Sequence, residues 1–208
     1  MLNPKELKFV CTRCGNCCTD RNTLVNVTYL DISRIIKGLK IDSNESLEIF
    51  GFYVYDKALN NTILKKMVIS PIETEKGLAF IGLMKNNKGE CCFYEKKNKK
   101  CLIYSLRPML CNSFPFFFSF IQSNNEDIIT KEKISLIYTE KAKKYCPGIS
   151  NDAPLIDNDY WFKVASKTLR ELKDNYIFNE DWNNYVKNKR ISPSAKNFIK
   201  RVMKMNED

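Results

Sequence analysis

The sequence Cys11-Thr12-Arg13-Cys14-Gly15-Asn16-Cys17-Cys18 places four thiols within eight residues of a 208-residue chain that contains no histidine. A short loop can turn several thiolates spaced by three residues towards one centre, so this spacing is typical of metal ligands. The sequence therefore predicts a metal centre bound by thiolates. The other five cysteines, which bring the total to nine, are Cys91, Cys92, Cys101, Cys111 and Cys146.

A secreted domain held by disulfides is the alternative interpretation of so many cysteines. Nine is an odd number and leaves one thiol unpaired, and adjacent Cys17 and Cys18 cannot bridge each other without strain. The first ten residues carry charges throughout and lack the apolar core and small-residue cleavage site of an export signal. We therefore expect a reducing, cytoplasmic location, where such thiols serve metal or redox chemistry.

The formal net charge of +10 does not by itself predict a nucleic-acid partner. A four-thiolate zinc or oxidised four-iron centre carries a charge of about −2, so part of the basic excess can balance buried anions. Residues 187–204 hold seven Lys or Arg and no acid. We interpret them as a solvated helix face rather than a nucleic-acid or partner-binding module. The longest apolar stretch, residues 114–121, is too short to span a bilayer, so we expect no membrane association.

Apolar periodicity predicts an α+β fold, in which short antiparallel strands and helices form a small cysteine-rich core around the metal centre or centres. A capping box at Thr28 and Asp31 begins a predicted helix over residues 29–39. Turn signals between β-prone segments predict paired strands. These predictions are a short strand at 23–27, a short helix at 43–49, paired strands within 63–83, and hairpins at 91–103 and at 114–122 with 128–138.

Beyond Cys146 the composition becomes helical. One predicted helix starts near Asp157 and has an apolar face ending at Tyr176. A last helix is predicted with Ser192 as its N-cap and Pro193 at its first position. We expect residues 1–150 to form a cysteine-cluster metal-binding domain and residues 151–208 to form a helical extension packed on it.

The spacing of the first cysteines favours iron–sulfur over zinc. The C-x2-C-x2-C run of Cys11, Cys14 and Cys17 is typical of bacterial ferredoxins, whose fourth ligand is a remote cysteine followed by proline, as at Cys146. Zinc, the alternative, more often takes two close C-x2-C pairs. The side chains of neighbouring Cys17 and Cys18 point apart, so the two thiols are not expected to bind the same small ion. Nine cysteines supply enough thiolates for one or two [4Fe-4S] centres. The lack of histidine excludes Rieske centres, two-histidine iron sites and mixed cysteine–histidine zinc fingers.

The chain also resembles the CxxCxxCC cysteine-cluster family, the YkgJ-type domains described as zinc- or iron-chelating. The resemblance covers about residues 9–149 and implies that Cys92 is a spare thiol, because proline often stands there in the family. Asn112 departs from an arginine that is common after the preceding cysteine. The motifs are Phe9-x-Cys11-x2-Cys14-Gly15-x-Cys17-Cys18, Thr28-x2-Asp31-Ile32, Cys91-x-Phe93-Tyr94, Cys101-x-Ile103-Tyr104-x2-Arg107-Pro108-x2-Cys111, Phe114-Pro115-Phe116 and Cys146-Pro147-Gly148. The implied metal ligands are Cys11, Cys14, Cys17, Cys18, Cys91, Cys101, Cys111 and Cys146.

Two further features have open interpretations. Arg107 either donates hydrogen bonds to cluster sulfurs or an anionic ligand, or fixes the turn before a helix whose first residue is Pro108. The aromatic residues 114–118 are interpreted as hydrophobic shielding around the centre.

These features favour a cytoplasmic iron–sulfur protein acting in electron transfer, redox sensing or cluster-assisted chemistry, with a redox or protein partner that the sequence does not identify. The alternative is a protein-lysine N-methyltransferase, because flagellin lysine-N-methylase looks like a relative. The chain has seven glycines and no Gly-x-Gly-x-x-Gly loop for a nucleotide-derived cofactor. No nucleophile–base pair is evident, so the sequence names no catalytic residue and leaves open whether the protein is an iron–sulfur oxidoreductase, a methyltransferase or no enzyme.

Overall fold

Six helices and three small antiparallel sheets form the part of the chain that the computed structural model describes, residues 6–55, 68–120 and 134–205. The predicted α+β fold is confirmed. The helices are α1 (Asn16–Thr19), α2 (Tyr29–Leu39), α3 (Met109–Ser113), α4 (Glu140–Tyr145), α5 (Asn158–Lys187) and α6 (Ala195–Lys204), with 3-10 helices at Glu45–Glu48 and Tyr104–Leu106. The strands are β1 (Phe50–Val54), β2 (Ile72–Thr74), β3 (Gly77–Leu83), β4 (Tyr94–Glu95), β5 (Lys100–Cys101), β6 (Phe116–Phe120) and β7 (Ile134–Tyr138). No described helix is both long enough and apolar enough to cross a membrane.

The first sheet has the strand order β1–β3–β2 and is antiparallel throughout. The predicted pairing is confirmed for β2 and β3, while residues 63–67 lie outside the described residues. The predicted strand at 23–27 is only a short bridge, in which the Val27 N–H donates to Ile81 O and the Leu83 N–H donates to Val25 O. Strand β1 was not predicted, because Gly51 interrupts its pattern.

Helix α2 begins and ends where the sequence predicts. The Thr28 side chain accepts from the Asp31 N–H, and the Asp31 carboxylate accepts from the Thr28 N–H at 3.0 Å. This capping box satisfies two of the helix's unpaired N–H groups. The apolar side of α2 packs into the first hydrophobic core with β1, the end of α5 and α6. Its fully buried members include Ile32, Phe50, Trp182 and Phe198.

Helix α5 begins after Asp157, as predicted, but its buried face differs from the prediction. Tyr176 is 58% exposed, and polar residues of the same helix are buried instead. Asn183 Oδ1 accepts from the Glu73 N–H at 2.7 Å, and Asn179 Nδ2 donates to Ser70 O at 2.8 Å. The helix lies against the edge of β2, where unpaired backbone groups need polar partners, and this requirement explains the difference.

The N-cap of α6 is Ser194 and not Ser192 as predicted. Ser194 Oγ accepts from the Asn197 N–H, whereas the carbonyl of Pro193 accepts from the Glu75 N–H at 3.0 Å. The contact with the β2–β3 turn keeps the chain extended for two more residues, so the helix starts later. The interpretation of its apolar side is confirmed, because Phe198, Ile199 and Val202 are buried.

A second core lies under the β6–β7 hairpin, which the sequence predicts correctly. Phe116 pairs with Tyr138, and the residues between the strands, 121–133, lie outside the described residues. Phe116 packs edge-on against Trp161 of α5, with ring centroids 4.6 Å apart. Since Trp182 belongs to the first core, the 30-residue α5 spans both cores. The division of the chain near residue 150 stays a prediction.

Candidate metal centre

The cysteine-rich loop turns sharply at Gly15. Its φ of +82° lies in the left-handed region, and an added Cβ there would strike the ring of Tyr94. The Gly15 carbonyl accepts from the N–H groups of Cys18 and Thr19, which starts the four-residue helix α1. Cys17 and Cys18 therefore follow the turn directly, with their Sγ atoms 4.0 Å apart.

Cys91 and Cys101 are held together by a β-hairpin. Cys101 lies opposite Tyr94 in the β4–β5 pair, and the Tyr94 N–H donates to Cys91 O at 2.9 Å. The Cys91 N–H donates to Cys18 O at 2.8 Å, which fixes the hairpin directly to the first cysteine loop. The predicted hairpin over residues 91–103 is confirmed.

Cys111 lies on the short helix α3, which follows Arg107 and Pro108. Pro108 is the N-cap and not the first helical residue. Arg107 Nε donates to Tyr104 O at 3.2 Å, and its guanidinium carbon lies 3.9 Å from the centre of the Tyr104 ring. The Arg13 guanidinium lies 4.9 Å from the same ring centre. Two cations are thus held over one ring next to the thiols.

Cys146 is brought to the first loop by backbone contacts on both sides of it. The Val10 N–H donates to Gly148 O at 3.1 Å, and Asn16 Nδ2 donates to Tyr145 O at 2.8 Å. Cys146 therefore lies next to the first cysteine loop despite its long sequence separation from Cys11.

The thiols line adjoining cavities of about 310, 330 and 290 Å³. Cys14 and Cys146 line only the first cavity, and Cys18, Cys91 and Cys101 line only the second. Cys11 lines the first two, while Cys17 and Cys111 line all three. Among the residues that the structure describes, no three cysteine, aspartate or glutamate side chains are already close enough together to hold a metal ion.

The thiols shift one another's pKa values. A hydrogen bond from the Cys18 thiol is the largest cause that lowers the pKa of Cys17 to about 7, with a smaller contribution from the charge of Arg107. Burial raises the pKa of Cys111 well above its usual range, and the thiolates of Cys17 and Cys91 raise it further. Several thiolates in one place repel each other, and a bound cation would remove that penalty.

All eight cysteines predicted as ligands line at least one of the first two cavities, and the predicted spare thiol does not. Cys92 is exposed and lines none of these cavities. The shielding prediction fits Phe114, which lines the first cavity, but Phe116 and Phe118 belong to the second core. Arg13 and Tyr104 were missed as site residues, although both lie inside the cysteine motifs.

Comparison with known proteins supports metal binding. The family CxxCxxCC, described as "Putative zinc- or iron-chelating domain", matches residues 10–147. The chain is 30% identical over 166 residues to the uncharacterized protein MJ0661 of Methanocaldococcus jannaschii. The matched region covers 80% of this chain and 71% of the relative. No solved structure matches the chain.

Proposed function

The chain belongs to the CxxCxxCC family of metal-chelating domains, and we propose that it holds two [4Fe-4S] clusters for electron transfer or cluster-assisted redox chemistry. The first centre would use Cys11, Cys14, Cys17 and Cys146, and the second would use Cys18, Cys91, Cys101 and Cys111. The observation that carries the proposal is the distribution of these eight thiols over two adjoining cavities.

The division into two centres starts from the thiols that line a single cavity. Cys14 and Cys146 belong to the first, and the thiolates of Cys14, Cys17 and Cys11 all act on the pKa of Cys146. Cys18, Cys91 and Cys101 belong to the second. Burial raises the pKa of Cys111, and the thiolates of Cys17, Cys91 and Cys101 raise it further. We assign Cys111 to the second set because Cys91 and Cys101 line the second cavity only. Adjacent Cys17 and Cys18 then serve different centres. In two-cluster ferredoxins, likewise, the fourth cysteine of one C-x2-C-x2-C-x3-C run ligates the other cluster.

The size of the cavities favours a cluster over a single ion. Four thiolates around one zinc ion at about 2.3 Å would lie on the order of 3.8 Å from each other and leave little space between them. The cavities that these thiols line have volumes of about 310 and 330 Å³, which leave room for a multi-atom centre. The C-x2-C-x2-C run with a remote Cys-Pro points the same way.

The surroundings of the thiols suit a redox centre. Each oxidised four-thiolate cluster carries about −2 charge, and Arg13 and Arg107 line both cavities without a carboxylate ion pair among the described residues. Phe114, Tyr145 and Trp161 supply an aromatic wall for the first cavity. Positive charge and restricted solvent access are two ways in which a protein sets a cluster's reduction potential. The cluster itself would supply one-electron chemistry.

Anaerobic purification followed by iron, zinc and sulfide analysis tests the proposal. We expect a brown protein that absorbs near roughly 400 nm and contains about eight iron and eight sulfide per chain, as two four-iron clusters require. A colourless protein with stoichiometric zinc would contradict the iron–sulfur assignment and leave thiolate ligation intact.

Single variants test the division into centres. Cys146→Ser should remove the first centre and Cys101→Ser the second, so each should lose about half of the iron. Their remaining spectra should differ, because each variant keeps a different cluster. Loss of all metal from either variant, in a protein that remains folded by circular dichroism, would contradict two independent centres.

A further inference from the structure

We infer that Asp31 is a positioning residue of the second centre, because its buried carboxylate caps the helix that carries Cys111. The inference rests on the proposed function only in taking Cys111 as a ligand. Asp31 also completes the capping box of α2, and this role is separate from its proposed role at the second centre.

Helix α3 has no cap of its own. Its N-cap is Pro108, whose side chain makes no capping hydrogen bond. The Met109 N–H donates instead to Asp31 Oδ1 at 2.8 Å, across 78 residues of sequence. A carboxylate is well suited to this position, because it accepts from an otherwise unpaired N–H and its negative charge interacts favourably with the positive end of the helix dipole. Cys111 follows only two residues later, so the bond fixes its backbone.

The Asp31 carboxylate is itself held from several sides. It is fully buried, and its Oδ2 accepts from the Thr28 N–H at 3.0 Å. Its Oδ1 accepts from Arg34 Nη2 at 2.6 Å in addition to the Met109 N–H. A buried carboxylate is tolerated when it is paired and fully hydrogen-bonded, and here both oxygens have donors.

Arg34 also connects the Asp31 carboxylate to helix α5. Arg34 Nη1 and Nη2 donate to the two carboxylate oxygens of Glu171 at 3.2 and 3.3 Å. Glu171 lies on α5, outside residues 10–147 that match the family. Glu171, Arg34 and Asp31 therefore connect helix α5 to the backbone of helix α3, which carries Cys111. The C-terminal segment thus has a specific role in shaping the second centre.

Asp31→Asn is the direct test, because it keeps the shape of the side chain and removes one acceptor. Whichever N–H the amide oxygen accepts from, the NH2 group faces the other N–H donor. A neutral amide oxygen also accepts more weakly than a carboxylate, so the bond to Met109 is weakened or lost in either orientation. Two controls separate the consequences. Thr28→Ala removes the Thr28 hydroxyl from the α2 cap but leaves Asp31 on Met109. Asp42→Asn makes the same chemical change at the start of the 3-10 helix Glu45–Glu48, which carries no cysteine.

The first readout is hydrogen exchange of the Met109 amide in the metal-free protein, measured by NMR. Because a neutral acceptor holds this N–H more weakly than the carboxylate, or not at all, its exchange should be about tenfold or more faster in Asp31→Asn. The second readout is metal affinity at the second centre, measured by chelator competition in a Cys146→Ser background that lacks the first centre. Removing an outer-shell partner should weaken it by about 10- to 100-fold. Thr28→Ala and Asp42→Asn should leave both readouts near those of the parent.

Unchanged Met109 exchange or unchanged metal affinity in Asp31→Asn would overturn the inference. An equal loss of metal affinity in Thr28→Ala would also overturn it, because the effect would then arise from the cap of α2. If Asp31→Asn does not fold, Glu171→Gln replaces it and should weaken metal binding by a smaller factor, about two- to tenfold; no change there would overturn the role of α5. The parent's iron and zinc content tests the proposed function separately, since the exchange readout uses the metal-free protein and the affinity readout can be made with zinc.

Discussion

The adjacent thiols at positions 91 and 92 offer a matched test of the ligand set. Cys91 is only 9% exposed, lines the second cavity, and donates its N–H to Cys18 O at 2.8 Å. Cys92 is exposed and lines none of the described cavities. Cys91→Ser and Cys92→Ser therefore make the same chemical change one residue apart, on opposite sides of the proposed ligand boundary.

The expected magnitudes differ by nearly two orders. Thiolate metal sites supply about 10–16 kcal/mol of binding free energy, so one ligand of four carries about 3 kcal/mol. At about 1.4 kcal/mol per tenfold, Cys91→Ser should weaken metal binding by about 100-fold. An exposed substitution usually changes stability by less than about 0.5 kcal/mol, so Cys92→Ser should stay within about twofold. A hydrogen bond from Cys92 is the largest cause that lowers the pKa of Cys91 to about 7, and a serine hydroxyl can still donate it.

Competition between each variant and a chromogenic chelator for zinc measures these affinities, in a Cys146→Ser background that leaves only the second centre. Thermal unfolding with and without zinc gives an independent measure, because a ligand that binds only the folded state raises its stability. Equal losses from the two variants, or a larger loss from Cys92→Ser, would refute the assignment of Cys91 as the ligand.

Four further predictions concern the scaffold. Phe198→Ala should lower the free energy of unfolding by about 3–5 kcal/mol in urea titrations, because the ring is 1% exposed and packs edge-on against Trp182; a loss below about 1 kcal/mol would contradict this packing. Trp182→Phe leaves Glu73 O without its indole donor and should lower that free energy by about 1–3 kcal/mol, so an unchanged urea midpoint would argue against the bond. Gly15→Ala should lower bound metal in direct metal analysis, because it combines a φ of +82° with a clash against Tyr94; Gly77→Ala, with a φ of +110° and no Cβ contact closer than 3.9 Å, is the control that should keep its metal. The N–H groups of Glu45 and Asn44 lower the pKa of Asp42 below 3.8, so the stabilisation by the Asp42 carboxylate is present above that pH and is lost as the pH falls below it. Asp42→Asn should therefore flatten the acid dependence of the metal-free protein's melting temperature, and an unaltered dependence would contradict this role of Asp42.

Local signals explain which elements the sequence predicts well. The cap of α2 depends on Thr28 and Asp31, which are three residues apart, so its start is predicted to the residue. The start of α6 depends on a contact between Pro193 and Glu75, more than 100 residues apart, and the prediction is two residues early. The buried asparagines of α5 are likewise explained by hydrogen bonds to the backbone at and next to the edge strand β2, and the periodicity of one helix cannot predict such contacts.

The candidate site shows the same difference between local features, which the sequence predicts, and tertiary contacts, which it does not. Spacing alone predicts the cysteines of the first loop as ligands, because a C-x2-C-x2-C loop is a local arrangement, whereas the remote cysteines Cys91, Cys101 and Cys111 are predicted from the family resemblance. Their division between two cavities depends on tertiary contacts such as Val10 with Gly148 and Cys91 with Cys18. The capping role of Asp31 on α2 follows from sequence, whereas its bond to Met109 spans 78 residues and has no sequence signal.

Each proposed centre adjoins a different hydrophobic core. Phe9, which precedes the first cysteine loop, packs on the core under β6–β7, and Cys146 follows α4, which begins just after β7. Cys91 belongs to the other core, and Cys18 and Cys101 pack against it. Closing loops between such distant cysteines has an entropic cost that metal ligation offsets. Each proposed metal centre therefore ties a different core to the helix α1. Since Cys17 and Cys18 are adjacent on α1, a change at one centre has a covalent path of one peptide bond to the other.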